Sequence, residues 1–124
     1  NANKVILHGE IADLSTASTD ATALAIPIPI NGSITDVRVK VDSNFTGSAN
    51  VITIEKLVTG QALGSGTNMT PTLSVPAASG ANLLTSVTQT TNNSVTTSNY
   101  IIVKTNGAGT GATRASFTIT LDVE

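Results

Sequence analysis

The 124-residue chain has no cysteine and no tryptophan, a single tyrosine and two phenylalanines. Without cysteine there are no disulfides, no thiolate metal ligands and no thiol nucleophile. Charged residues make up only 11% and the net charge is -2, so no electrostatic pull toward nucleic acid or an anionic membrane is built in. No apolar run approaches the roughly 18 residues of a membrane-spanning helix. The opening Asn1-Ala2-Asn3-Lys4 lacks the basic start and apolar stretch of a secretory leader. With no initiator Met, a processed or trimmed product is the expectation.

What is present is β-branched. Val, Ile and Thr make up roughly a third of the residues, the bias that suits a pleated, half-buried surface. The apolar ones alternate with period 2, which sends them to one face of a strand. Val5, Leu7 and Ile11 alternate with Ile6, His8 and Glu10. Leu14 to Asp20 reads as a polar loop, and Leu24, Ile26, Ile28 and Ile30 then share a face opposite Ala25, Pro27 and Pro29. Amide groups two residues apart point to the same strand edge, so Pro27 and Pro29 delete successive donors from one edge and predict an outer strand or a strand end. A polyproline-like entry segment is the alternative.

Asn31-Gly32 predicts a type I′ hairpin turn. Val37, Val39 and Val41 follow, opposite Asp36, Arg38, Lys40 and Asp42; a strand returns over 51–58, and 59–70 reads as a long loop. Leu73 and Val75, then Leu83, Thr85 and Val87, start two more strands, the second dissolving into the Ser/Thr/Asn tract 88–98. The 100–105 segment is apolar on both faces and reads as a central strand. Residues 106–111 read as a flexible Gly-rich hairpin loop, and Phe117, Ile119, Leu121 and Val123 close the pattern. Nothing favours an amphipathic helix.

About eight short strands separated by turn signals predict one all-β domain over 1–124, a two-sheet antiparallel β-sandwich. A jelly roll is the preferred topology and an immunoglobulin-like sandwich the alternative. Residues 1–20, a strand and a polar loop, can serve as an N-terminal arm, and residues 1–11 can swap into a neighbour by strand addition.

Catalytic signatures are missing. His8, with Glu10 on its own face, is one histidine without cysteine partners and builds no zinc site. There is no G-x-S-x-G elbow, and the acids are scattered over loops and outer faces. The glycine runs 60–66 and 107–111 lack the following helix or Lys-Ser/Thr that a phosphate cradle needs. No catalytic residue, metal ligand or cofactor is assigned. The candidate interface residues are Pro27 and Pro29, on a strand edge, and Asp36, Arg38, Lys40 and Asp42, whose alternating signs share one face. The polar tracts 59–70 and 88–98 are long enough to make contacts of their own.

The stretch Ile34-Thr35-Asp36-Val37-Arg38-Val39-Lys40-Val41, then Phe45-Thr46-Gly47-Ser48, then Val51-Ile52-Thr53-Ile54-Glu55-Lys56 resembles small jelly-roll modules of tailed-bacteriophage structural proteins. In these, an outward-and-back pair of strands is joined by such a turn. Tyr100-Ile101-Ile102-Val103-Lys104-Thr105 and the final strand from Ala115 extend the likeness, which runs from about Leu24 to the C-terminus. The resemblance implies a non-enzymatic virion protein, foremost a capsid decoration (cement) protein, otherwise a head-fibre or tail-fibre module. It further implies a place on the extracellular particle surface, the major capsid protein or other virion proteins as partners, and a homotrimer. A receptor- or carbohydrate-binding module is the alternative function.

Overall fold

The computed structural model describes residues 3–77 and 84–124, and every regular element among them is a strand. In chain order these are β1 (Lys4–Ile11), β2 (Leu24–Pro27), β3 (Gly32–Val41), β4 (Thr46–Gly47), β5 (Asn50–Val58) and β6 (Thr67–Asn68). They continue with β7 (Leu73–Val75), β8 (Leu84–Thr88), β9 (Ser94–Val95), β10 (Asn99–Thr105), β11 (Gly109–Thr110) and β12 (Ala115–Val123).

The first sheet runs β1-β12-β3-β8, with β9 continuing β8 along β3. The second runs β2-β10-β5-β6, with β7 sharing the β6 side of β5. Treating β6/β7 and β8/β9 as interrupted single strands gives eight principal strands, all paired antiparallel. Consecutive strands mostly change sheet: β1 to β2, β2 to β3, β3 to β5, β10 to β12. That wrapping is the jelly-roll order; an immunoglobulin sandwich would instead pair sequence neighbours within a sheet.

The core lies between the sheets. Ile34, Val37, Val39 and Val41 of β3 and Phe117, Ile119 and Leu121 of β12 face Ile52 and Ile54 of β5 and Ile101 and Val103 of β10. Ile34 and Val37 are three apart yet both point inward because Thr35 is an extra residue: Ile34 pairs Leu121 while Asp36 pairs Thr120. This bulge restores the inward phase after one residue out of step.

Several sequence expectations change. Asn31-Gly32 is no hairpin turn, because β2 and β3 lie in opposite sheets. Gly32 is buried in β3, where an added Cβ would lie 2.2 Å from the Asp122 carbonyl oxygen, so close approach rather than positive φ requires glycine here. β3 and β5 are likewise in opposite sheets and form no outward-and-back pair. Residues 106–111 also cross between sheets instead of closing a hairpin: β11 pairs with β4, and Gly109 packs on the ring of Phe45. Leu14, placed in a polar loop by its neighbours, is fully buried and donates its N–H to Thr113 O at 2.9 Å. Ile30, in phase with the buried Ile28, is 41% exposed where the chain leaves β2. Within 59–70, β6 pairs with β5 and Met69 is fully buried. Of the strand expected from Leu83, only the part from Leu84 lies within the described residues.

Two interruptions close one flank of the sandwich. Thr90 and Thr91 donate to Thr70 O at 2.8 and 3.2 Å, and the buried Gln89 donates its side-chain amide to Pro71 O at 2.9 Å. The opposite flank, where Leu24 of β2 packs against Gly9 of β1, has no such bridge among the described residues.

Leu14→Ala should lower unfolding free energy in urea by about 2–5 kcal/mol, as deletion of a buried Leu side chain does. Ile30→Ala should change it by less than about 0.5 kcal/mol.

Candidate interaction surfaces

Residues of even number on β1, β12 and β8, and on β3 from Asp36 onward, point away from the core of the first sheet. Register aligns them in rows across the strands: Ile6, Thr120, Asp36 and Thr88; His8, Thr118, Arg38 and Ser86; Glu10, Ser116, Lys40 and Leu84. The short hydroxyl side chains of Thr120, Thr118 and Ser116 on β12 lie between the longer side chains of β1 and β3 in each row, keeping the face flat and polar. Asp36, Arg38 and Lys40 all project from this face, with Asp42 at the end of β3, as the alternation predicted. Arg38 Nε lies 2.8 Å from Asp36 Oδ2, and Lys40 Nζ 3.5 Å from Asp42 Oδ1.

The fold adds residues that alternation alone could not supply. Arg114, in the loop before β12, contacts Asp42 at 2.7 Å and Glu10 at 3.5 Å, and Lys4 pairs with Asp122 across β1 and β12. The Arg114 guanidinium, with Lys40 behind it, lowers the pKa of Asp42. These pairs are exposed and contribute little to stability. Their effect is to neutralise the face locally while leaving an alternating pattern for a partner to match. Exposed Ile6 and Leu84 mark its two lateral limits.

Pro27 and Pro29 sit where the sequence put them, on an outer strand. Among the described residues β2 pairs only with β10, and Ile28 donates its N–H to Asn99 O at 3.2 Å, so the donors missing at 27 and 29 belong to the outward edge. Both prolines are exposed. They lie on a different sheet from the charged rows, so the six candidate residues form two surfaces.

The outer face of the second sheet is covered in part by the chain itself, and Val51, Thr53 and Lys104 line an open depression of about 300 Å³ on the remainder. Leu57 and Ile102 point outward yet are buried. Residues 60–66 return toward this face, with Gly66 against the Glu55 carboxylate. Beneath this segment lies an ionic cluster: Lys104 Nζ is 2.8 Å from Glu55 Oε1 and 2.9 Å from Asp20 Oδ1. The Gly64 amide donates to the other Asp20 oxygen, joining the 60–66 segment to the loop before β2. The Lys104 contact, then the Gly64 amide, lower the Asp20 pKa. Glu55, ahead of Asp20, raises that of Lys104 against the opposing effect of its burial. The apolar residues on both faces of 100–105 predicted a central strand, and β10 lies between β2 and β5.

The polar tracts are ordered against each other. Besides the Thr70–Thr91 bridges, Thr59 donates its N–H to Ser98 O at 2.9 Å and Asn92 its side-chain amide to Asn68 O at 3.2 Å. Of the aromatics, Phe45 and Phe117 are 1% exposed, leaving the half-buried Tyr100 as the ring available for stacking. Among the described residues no group of three or more His, Cys, Asp or Glu converges to hold a metal. His8 borders an open depression of about 330 Å³ with Glu10, Ser116 and Thr118, on the flat face rather than in a cleft.

No protein-family model matches the chain, and no curated protein does. Among solved structures it is similar to a chain of the cyanophage Pam1 capsid asymmetric unit. The identity is 19% over 99% of this chain and 86% of that one, with a TM-score of 0.37. A likeness at that level carries no functional argument; the surfaces themselves do.

Lys104→Met should destabilise the fold by about 3 kcal/mol at neutral pH, because Glu55 is then left buried without its cation. Asp20, with its pKa lowered, contributes above the ordinary aspartate value and loses that contribution as pH falls through the native one. Lys104, with its pKa raised, contributes below the ordinary lysine value and loses it as pH rises through the native one. Urea midpoints across pH should therefore fall at both extremes, and the variant should flatten both limbs.

Proposed function

We propose that the protein is a non-enzymatic structural component of a bacteriophage virion, a decoration protein that docks on the capsid surface as a homo-oligomer. The observation that carries this reading is the asymmetry between the two outer faces. One sheet is partly covered by its own loops, around Glu55, Leu57 and Ile102, while the other presents a flat, self-neutralised array of Asp36, Arg38, Lys40 and Asp42 with no loop hydrogen-bonded across it among the described residues. A flat face of this kind suits another folded surface better than a small ligand, which favours a concave, largely apolar site. The jelly-roll order agrees with the resemblance to tailed-phage virion modules.

Area sets a limit on how this face works. Four strands about 4.8 Å apart and seven residues of about 3.3 Å rise give roughly 400 Å². A stable interface buries about 800 Å² per partner. One face therefore gives weak attachment, and firm binding requires several copies acting together, as an oligomer on a repeating shell provides. Major capsid protein is the partner this reading names, with contacts that are polar and wet.

Purified protein added to particles stripped of it should co-sediment with them. Arg38→Glu with Lys40→Glu should weaken that binding about tenfold or more by reversing the charge pattern. Absence of the chain from purified particles, or binding indifferent to the double substitution, contradicts the proposal.

A further inference from the structure

The open flank of the sandwich carries one strand edge that is free to pair. β1 is hydrogen-bonded on one side only, to β12, in unbroken register from Lys4 to Ile11. Val123 donates to Asn3 O, which fixes the phase: odd-numbered residues of β1 bond β12, and Lys4, Ile6, His8 and Glu10 direct both backbone groups outward. Those groups find no backbone partner among the described residues. The adjacent edge of the second sheet is blocked by Pro27 and Pro29, and the opposite flank is closed by the Thr70–Thr91 bridges. β1 has no proline and no bulge to deter pairing, and it exposes Ile6. Such an edge is a template for another strand.

We propose that β1 pairs antiparallel with β1 of a second copy about a twofold axis at Leu7, joining the two first sheets into one continuous sheet. The sequence of the strand selects this occupant. In that register Lys4 faces Glu10 of the second copy, Ile6 faces His8, and the relation repeats by symmetry. Lys4, Ile6, His8 and Glu10 are the residues with outward backbone groups, so the Lys4–Glu10 and Ile6–His8 pairs each exchange both hydrogen bonds. Opposite charges directly across an antiparallel pair are favourable and like charges unfavourable. Lys4 and Glu10 each keep 57% of the side chain exposed beside Asp122 and Arg114, so both can reach across. The contact is isologous and closes at two, unlike the threefold association that the phage resemblance implies. It is independent of where the protein resides, so its failure leaves the virion reading standing.

The test is solution mass by light scattering or sedimentation over a dilution series for wild type, Lys4→Glu, Glu10→Lys and the double swap. Wild type should reach twice the monomer mass. Each single swap places like charges opposite at two symmetric positions and should weaken dimerisation about tenfold or more. The double swap should restore it, which no loss of folding would do. His8→Pro, which removes an outward donor without touching the β12 ladder, should yield a monomer with an unchanged far-ultraviolet spectrum. A monomer at all concentrations, a trimer, or a dimer indifferent to the charge swaps overturns the proposal.

Discussion

Pairing of β3 with β12 is the constraint on which the rest depends. Both strands are central to the first sheet, and together they supply eight of the core side chains, Ile34, Val37, Val39 and Val41 from β3 and Ala115, Phe117, Ile119 and Leu121 from β12. Their register also fixes the outer face, because alternation sends every residue between those core positions to solvent. The Thr35 bulge is what keeps both requirements compatible: without it, Ile34 and Val37 could not both be buried while Asp36, Arg38 and Lys40 stay in one exposed file.

The two sheets use their outer faces differently, and the loops decide which. Around Lys104 the chain spends polar groups on itself. A buried ion pair is weak evidence of net stabilisation, since desolvation of the charges offsets much of their attraction. Its consequence here is positional, holding residues 60–66 and the loop before β2 against the second sheet. The first sheet is left with exposed ion pairs of little energetic consequence, and that is the condition under which a charged face remains available to a partner.

The strands were legible because period-2 alternation is a local property: β1 and β12 follow the pattern closely and β3 ends with it, although β3 begins at Gly32, ahead of the alternation and across the Thr35 bulge. The edge position of β2 was legible from Pro27 and Pro29, since a missing donor has a definite geometric meaning. Asp36, Arg38, Lys40 and Asp42 were found as a file for the same reason. What failed was connectivity. Asn31-Gly32 and the 106–111 glycines resemble hairpin turns, yet each crosses between sheets, and the glycines serve close packing against Asp122 and Phe45. Leu14 and Met69 are single apolar residues in polar surroundings, which no periodicity marks. Arg114 and the Asp20–Lys104–Glu55 cluster join residues distant in sequence, and only the jelly-roll wrapping brings them together.

The central claim is that the outer face of the first sheet is the docking surface. Electron cryomicroscopy of decorated particles tests it most directly, because the two outer faces of the sandwich are chemically and topographically distinct. The expected reconstruction has β12, β3 and β8 against the shell, with residues 60–66 facing away from it. A jelly roll seated through the second sheet and its covering loops, or particles without one, would contradict the claim.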